Sequence, residues 1–146
     1  MNEKSGTPGI FRTSLRAGDI MQHPVVAASV RASLRDVADR FVDCDFSGMP
    51  VADAEGKVIG VITEADIVRA LNDGKILEDV NVGSLMTTPP IAVDVDTPIE
   101  SVMKGLAEYH IVRVPVTRQG KLVGIIARRD VIRARIEPEF RSFGEG

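Results

Sequence analysis

Two aspartates stand where an apolar, strand-like run gives way to a helix-like one. Thr63 and Asp66 have the spacing of a capping box, in which a hydroxyl and a carboxylate satisfy the first amides of a helix. Asp130 holds the same position after a second such run, but Ala127 stands where the hydroxyl would be. A helix N-terminus also attracts anions. Each aspartate is therefore either a helix cap or part of a ligand site at a helix start.

Other reactive side chains lack the partners that catalysis or metal binding requires. Cys44 is the only cysteine, and His23 and His110 are the only histidines, which excludes a disulfide and a zinc site of Cys and His ligands. Ser47 has no base nearby in the sequence, and the acids form no recognisable metal cluster or Walker phosphate loop. We therefore expect a binding protein that is not an enzyme and that requires no cofactor.

Size and composition are those of a globular domain. The chain has 146 residues, 44% apolar and 27% charged, and a chain of this length buries about two-thirds of its unfolded surface without disulfides or metals. No apolar run approaches the ~18 residues of a membrane helix, and the first residues lack the apolar core of a signal peptide. We expect a cytoplasmic protein with no membrane partner.

Charge is spread unevenly along the chain. The net charge is −3, with no tryptophan and one tyrosine, so the aromatic platforms that single-stranded nucleic acids stack on are scarce and nucleic acid is not an expected partner. The stretch from Arg118 to Arg141, however, contains seven basic residues and only three acidic ones. This stretch is either the solvated face of a helix or a local anion site.

An internal repeat dominates the sequence. A shift of 65 positions superimposes residues 18–21 on 83–86, and after a one-residue deletion a shift of 64 superimposes 56–62 on 120–126 and 66–70 on 130–134. A period this long with two copies does not indicate a solenoid. It indicates two related units that share a core.

Each copy predicts the same order of elements: strand, helix, strand, strand, helix. Ser33 with Asp36 predicts the start of the first helix, and Thr97 followed by Pro98 predicts the start of its counterpart. Alternating and continuous apolar runs predict the strands, at 25–28, 49–53, 58–63, 91–93, 112–117 and 122–127. The closing helices are predicted at 64–71 and 128–135.

These features together resemble a known family. The βαββα order, the apolar-Pro-Val strands at 49–51 and 114–116, and the closing pattern Gly-apolar-apolar-Thr-x-x-Asp at 60–66, weakened at 124–130, are similar to cystathionine-β-synthase (CBS) domains, which occur in tandem pairs. The resemblance implies a stand-alone α+β protein of two βαββα repeats packed about a pseudo-twofold axis. The expected division is a disordered leader (1–14), repeat 1 (15–71), a linker (72–81), repeat 2 (82–136) and a C-terminal tail (137–146).

The resemblance also implies a site for an adenosine nucleotide in each repeat. Asp66 would accept hydrogen bonds from the two ribose hydroxyls, with Thr63 nearby, because a carboxylate has two acceptor oxygens that suit a vicinal diol. Asp130 would serve the second repeat, where the missing hydroxyl weakens the site. The adenine would lie against apolar residues, which are Met21, Val26 and Phe46 in the first copy and Met86, Ile91 and Ile111 in the second. All six are also residue types that fill protein cores.

Two arginines are the candidates for phosphate binding. In the family, a basic residue at the start of the Pro-Val strand of one copy reaches the phosphates of the nucleotide held by the other, and Arg113 occupies that position here, whereas the first copy has Gly48. Arg128 at the second closing helix could also serve a phosphate. Either side chain could instead simply be exposed. We expect one competent site, with Asp66, and one degenerate or differently specific site.

The implied function is regulatory. An AMP, ADP, ATP or related adenosyl ligand would change the packing of the repeats or of a homodimer formed through the closing helices, and an unidentified regulated protein would respond. The alternative is a structural dimerisation module with vestigial ligand clefts.

Overall fold

The structure is a computed structural model that describes residues 15–44 and 47–145, with side chains described as far as Ile136. Phe46 and the predicted leader lie outside the described residues. In chain order the elements are α1 (Ala17–Ile20), β1 (Ala28–Ser29), α2 (Leu34–Asp43), β2 (Gly48–Ala52), β3 (Val58–Thr63), α3 (Glu64–Asn72), a 3-10 turn (Leu77–Asp79), α4 (Val82–Leu85), β4 (Val93–Asp94), α5 (Ile99–Glu108), β5 (Arg113–Arg118), β6 (Lys121–Ala127) and α6 (Arg128–Glu145).

The strands form two three-stranded sheets with the same order, β1-β2-β3 and β4-β5-β6. In the first sheet β1 runs parallel to β2, with Ala28 opposite Val51, and β2 runs antiparallel to β3. In the second sheet β4 runs parallel to β5, with Val93 opposite Val116. The α+β class and the repeated βαββα order predicted from the sequence are therefore confirmed.

The predicted N-cap of α2, Ser33, is confirmed, whereas the predicted N-cap of α5, Thr97, is wrong. The Ser33 hydroxyl accepts a hydrogen bond from the Asp36 amide at 3.1 Å, and α2 buries Leu34, Val37 and Phe41. In the second repeat the N-cap of α5 is Pro98, whose side chain makes no cap hydrogen bond, and not Thr97. Proline fixes the extended entry of the chain without supplying an acceptor.

The leading strands and the second closing helix differ from the prediction. β1 and β4 are only two residues long and begin at Ala28 and Val93, because the apolar runs before them do not pair with β2 or β5. The second closing helix continues past Arg135 to Glu145, through most of the predicted tail. Two short helices, α1 and α4, lie at the start of the two repeats and were not predicted.

The chain forms two compact units whose boundaries cut across the sequence repeats. The Asp130 unit contains the described residues 15–24, 92–119 and 123–145, and the Asp66 unit contains 25–91 and 120–122. The first segment of each repeat, 15–24 or 82–91, which we call its lead-in segment, thus belongs to the unit that contains the rest of the other repeat. Each lead-in segment supplies a fully buried residue to that unit's core, Ala17 in one and Val82 in the other.

One ionic cluster lies on the surface of the Asp66 unit. Arg35 on α2 donates hydrogen bonds to Asp39 at 3.0 Å and to Glu78 in the 3-10 turn at 2.9 Å. The hydrogen bond and charge of Asp39, followed by those of Glu78, raise the pKa of the Arg35 guanidinium. Because all three side chains are exposed, the cluster contributes little to stability.

Among the described residues, no helix combines the length and apolar character needed to cross a membrane.

Candidate functional site

The lead-in segments dock on the last strand of each unit in the same way. Gln22 and Ile125 exchange two backbone hydrogen bonds, of 2.8 and 3.1 Å, and Thr87 and Val61 exchange two of 2.9 and 3.1 Å. Ile125 and Val61 lie two residues before the ends of β6 and β3. Each docked segment therefore lies beside the strand end from which the aspartate-bearing helix begins.

Methionine and glycine make this docking close. A Cβ atom at Gly60 would lie 2.6 Å from the sulfur of Met86 and 3.0 Å from the carbonyl oxygen of Thr87. Gly124 in β6 has the same relation to Met21, whose sulfur and Cγ occupy the space a Cβ would need. The glycine of the closing pattern is therefore required because a neighbouring segment lies against the strand.

Three of the predicted apolar site residues do not lie in the same unit as the aspartate of their own sequence copy. Met21, predicted as an adenine contact in the first copy, lies in the Asp130 unit. Met86 and Ile91, predicted as adenine contacts in the second copy, lie in the Asp66 unit. The prediction followed sequence order, whereas the lead-in segments are exchanged between the units.

The remaining apolar residues lie where the repeat order places them. Val26 belongs to the Asp66 unit and Ile111 to the Asp130 unit. Ile111, Met21 and Met86 are half-buried and pack against the cores of their units, as the core alternative predicted for them. Val26 and Ile91 are exposed, so core packing does not explain these two.

Asp66 is a buried carboxylate that caps its own helix. Only 5% of the residue is exposed. Its Oδ2 accepts hydrogen bonds from the amide of Thr63 at 2.8 Å and from the Thr63 hydroxyl at 3.0 Å, and the hydroxyl oxygen accepts from the Asp66 amide at 3.3 Å. Oδ1 pairs with the guanidinium of Arg69. The capping role that the sequence left open is therefore present.

Asp130 has the same arrangement with different partners. The residue is 3% exposed, and its Oδ2 accepts a hydrogen bond from the Ala127 amide at 2.7 Å. Its Oδ1 accepts from Arg133 at 3.3 Å and from the side-chain amide of Gln22 at 2.8 Å. Among the described residues, no hydroxyl donates to this carboxylate, and the position equivalent to Thr63 is Ala127.

The two oxygens of each carboxylate thus have different functions. Oδ2 is fixed to the start of the helix and cannot turn away without uncapping it. Oδ1 faces side chains that are themselves open to solvent, since Arg69 is 68% exposed and Arg133 45% exposed. Only the guanidinium end of each pair is open to solvent, so a donor from solvent or from a ligand can take its place at Oδ1. Oδ1 is therefore the acceptor that a ligand can reach by replacing a side chain.

The predicted phosphate-binding arginines both lie in the Asp130 unit. Arg113 begins β5 and is half-buried. Arg128 begins α6, where its amide donates to the Val112 carbonyl and its Nε donates to the Ile111 carbonyl, both at 3.1 Å. The corresponding start of β2 in the Asp66 unit is Gly48, which lies opposite Thr63.

A cavity of about 290 Å³ lies in the Asp130 unit beside α5 and α6. Its lining includes Arg128 and His110 but not Asp130. In the part of the chain that the structure describes, no group of three or more His, Cys, Asp or Glu side chains is arranged to hold a metal ion.

Sequence reasoning missed three residues that contact the aspartates. Arg69 and Arg133 superimpose in the repeat, so their shared position three residues after each aspartate was a signal. Gln22 carried no such signal, because its partner Asp130 is 108 positions away and its counterpart in the repeat is Thr87.

Comparison with known proteins finds the same repeat. The family model of the CBS domain matches residues 17–73 and 82–137. The protein MK0525 of Methanopyrus kandleri is 26% identical over 140 residues, which cover 90% of this chain and 71% of that protein. The protein MJ1225 of Methanocaldococcus jannaschii is 30% identical over 115 residues, which cover 79% of this chain but only 41% of that protein.

Solved structures share the fold. Hypoxic Response Protein I with two coordinated zinc ions has a TM-score of 0.75 at 25% identity, covering 82% of this chain and 98% of that one. CBSX2 in complex with AMP has a TM-score of 0.74 at 28% identity, covering 85% and 98%. The CBS domain pair of MJ0100, in complex with 5′-methylthioadenosine and S-adenosyl-L-methionine, has a TM-score of 0.71 at 28% identity, covering 82% and 94%.

The family match extends over both repeats and includes both aspartate-bearing helix starts. The chain therefore belongs to the CBS domain family and carries the domain as a tandem pair.

Proposed function

We propose that the chain is a regulatory module that binds an adenosine-containing ligand at the two aspartates. One observation carries the proposal: each aspartate is buried and held by its helix through Oδ2, while Oδ1 faces exposed side chains that a ligand can replace. Two structures with the same fold, each 28% identical to this chain, hold AMP in one case and 5′-methylthioadenosine with S-adenosyl-L-methionine in the other. The adenosine moiety is common to these ligands.

The chemistry at Asp66 follows from its contacts. Ribose hydroxyls would donate to Oδ1 in place of Arg69, while Thr63 keeps Oδ2 and the start of α3 in position. Arg69 would then be released from the carboxylate. Val26, Ile91 and Met86 are the apolar residues that we assign to the adenine of this ligand.

The Asp130 site would use a second set of residues. Met21 and Ile111 are the apolar side chains of its unit, and Arg128 is the cation at the start of its closing helix. An anionic phosphate is favoured near Arg128 because the guanidinium stands at the N-terminus of α6, where the helix dipole adds positive potential.

The ligand would act by shifting an equilibrium. A ligand changes the balance between two packing states only through its different affinity for them. We propose that these states differ in the packing of the repeats or of a homodimer, and that a regulated protein responds to the change.

Isothermal titration calorimetry and thermal shift with AMP, ADP, ATP and S-adenosylmethionine test the proposal. Ligand at 100 times its dissociation constant adds about 2.7 kcal/mol of stability. Asp66→Asn and Asp130→Asn should each remove one binding event, whereas Asp36→Asn, which changes an exposed first-turn aspartate of α2, should remove none. Absence of binding by the unaltered protein across all four ligands would rule out the proposal.

A second function, structural dimerisation, is favoured by one feature. Among the side chains that the structure describes, the closing helices expose four large apolar ones, which are Val68, Leu71, Ile132 and Ile136. Light scattering on Val68→Lys and Ile132→Lys variants tests this function. If these helices form the dimer, the variants become monomeric, and a dimer that binds none of the four ligands would leave only the structural role.

A further inference from the structure

Gln22 is a side chain that contacts one of the two aspartates and, in the described part of the chain, has no equivalent at the other. Its amide donates a 2.8 Å hydrogen bond to Oδ1 of Asp130. The repeat places Thr87 in the corresponding position beside β3, and the backbone of Thr87 makes the same pair of hydrogen bonds as that of Gln22. Among the described residues, the Thr87 hydroxyl makes no hydrogen bond to Asp66. The two segments therefore dock alike, but only one covers its carboxylate.

The accessible oxygens of the two aspartates differ in occupancy as a result. Oδ1 of Asp66 accepts a hydrogen bond from one side chain, Arg69. Oδ1 of Asp130 accepts hydrogen bonds from two side chains, Arg133 and Gln22. Since a carboxylate oxygen has about two lone-pair positions, Oδ1 of Asp130 has no acceptor position left for a hydroxyl.

We propose that Gln22 is the residue that lowers the ligand affinity of the Asp130 site, by occupying the oxygen that the ribose needs. This inference rests on the proposed function. It assigns the difference between the sites to a side chain of the lead-in segment and not to the missing hydroxyl at position 127. The contacts support this assignment because the Thr63 hydroxyl donates to Oδ2, the capping oxygen, and leaves Oδ1 unaffected.

The length of the side chain matters as much as its polarity. Gln22 is exposed, and its backbone is fixed by two hydrogen bonds to Ile125, so the amide reaches the carboxylate only through the two methylenes of its side chain. Threonine at the same position keeps a polar side chain but is too short to make this contact. Asparagine keeps the amide and is shorter by one methylene.

Calorimetric titration with AMP tests the inference in an Asp66→Asn background, where the Asp130 site is observed alone. Gln22→Thr should strengthen AMP binding at this site about tenfold, the change expected when one competing hydrogen bond to a charged group is removed. Gln22→Asn should give a gain in the same direction, which provides a second variant if the threonine protein folds poorly. The reciprocal Thr87→Gln, in an Asp130→Asn background, should weaken binding at Asp66.

The outcomes separate this inference from the proposed function. Suppose that the unaltered protein binds AMP and that Asp66→Asn removes one binding event. If Gln22→Thr and Gln22→Asn then leave the AMP affinity of the Asp130 site unchanged or lower it, Gln22 does not compete with the ligand and the inference is wrong. If AMP does not bind to any of these proteins, while ADP, ATP and S-adenosylmethionine also fail, the proposed function itself is wrong.

Discussion

Met21 lies directly over Gly124, although 103 positions of sequence separate the two residues. A Cβ atom at position 124 would lie 2.8 Å from Cγ of Met21 and 3.0 Å from its Cβ. This contact holds the lead-in segment against β6, and with it the neighbouring Gln22 at Asp130.

Gly124→Ala should therefore destabilise the protein by about 1–3 kcal/mol, the usual cost of overpacking. The double variant Met21→Ala with Gly124→Ala should recover part of this loss, because the shorter side chain makes room for the methyl group. Chemical denaturation measures both. Gly105→Ala is the matched control: nothing lies within 4 Å of its Cβ position in α5, so alanine there should raise stability by about 0.5–1 kcal/mol.

The capping residues predict a pair of opposite effects. Thr63→Ala should cost about 1 kcal/mol, because the start of α3 loses the hydroxyl that accepts from the Asp66 amide. Ala127→Thr should gain a similar amount, since Asp130 already caps the start of α6 from the other side. Melting temperatures of the two variants measure these changes, and a loss of stability in Ala127→Thr would show that position 127 has no room for the hydroxyl.

Ser33 and Thr97 form a second matched pair. Ser33→Ala should destabilise the protein by about 1 kcal/mol, because its hydroxyl caps α2. Thr97→Ala should have a smaller effect, since α5 begins after Pro98 and no side chain caps it. Urea denaturation of both variants measures the difference. Equal losses would contradict the assignment of Pro98 as the N-cap.

Asp66 contributes to both stability and the proposed binding, so the choice of substitution matters. Asp66→Ala should lower stability by about 0.5–2 kcal/mol, because it leaves the Thr63 amide without its acceptor. Asp66→Asn retains an oxygen for that amide but presents an NH₂ group where Oδ1 was. It should therefore lose AMP affinity with a smaller loss in melting temperature, and a larger thermal loss than that of alanine would contradict this division between the two oxygens.

Much of the fold was predictable because its signals are local. Ser33 and Asp36 are three positions apart, and α2, β3 and the start of α3 follow from patterns within single segments. The internal repeat then predicted the corresponding elements in the second half of the chain. The prediction of Thr97 as the N-cap of α5 was wrong, because Thr97 and Pro98 are adjacent and both are typical of helix starts. The local sequence does not indicate which of the two is the N-cap.

The site was less predictable because its assembly depends on contacts between distant segments. The two aspartates and their capping pattern could be found in the sequence, but the unit to which Met21, Met86 and Ile91 belong could not. Nothing in the local pattern of a lead-in segment indicates which sheet it will meet. Gln22 was missed for the same reason.

The exchange of lead-in segments also bears on how the protein can be divided. A fragment ending at Gly74 would contain Ala17 but lack Val82, and the remaining fragment would contain Val82 but lack Ala17, although both side chains are fully buried in the intact chain. Each fragment would thus carry the buried residue that completes the core of the other fragment. We therefore expect neither fragment to fold alone and a mixture of the two to recover the native structure.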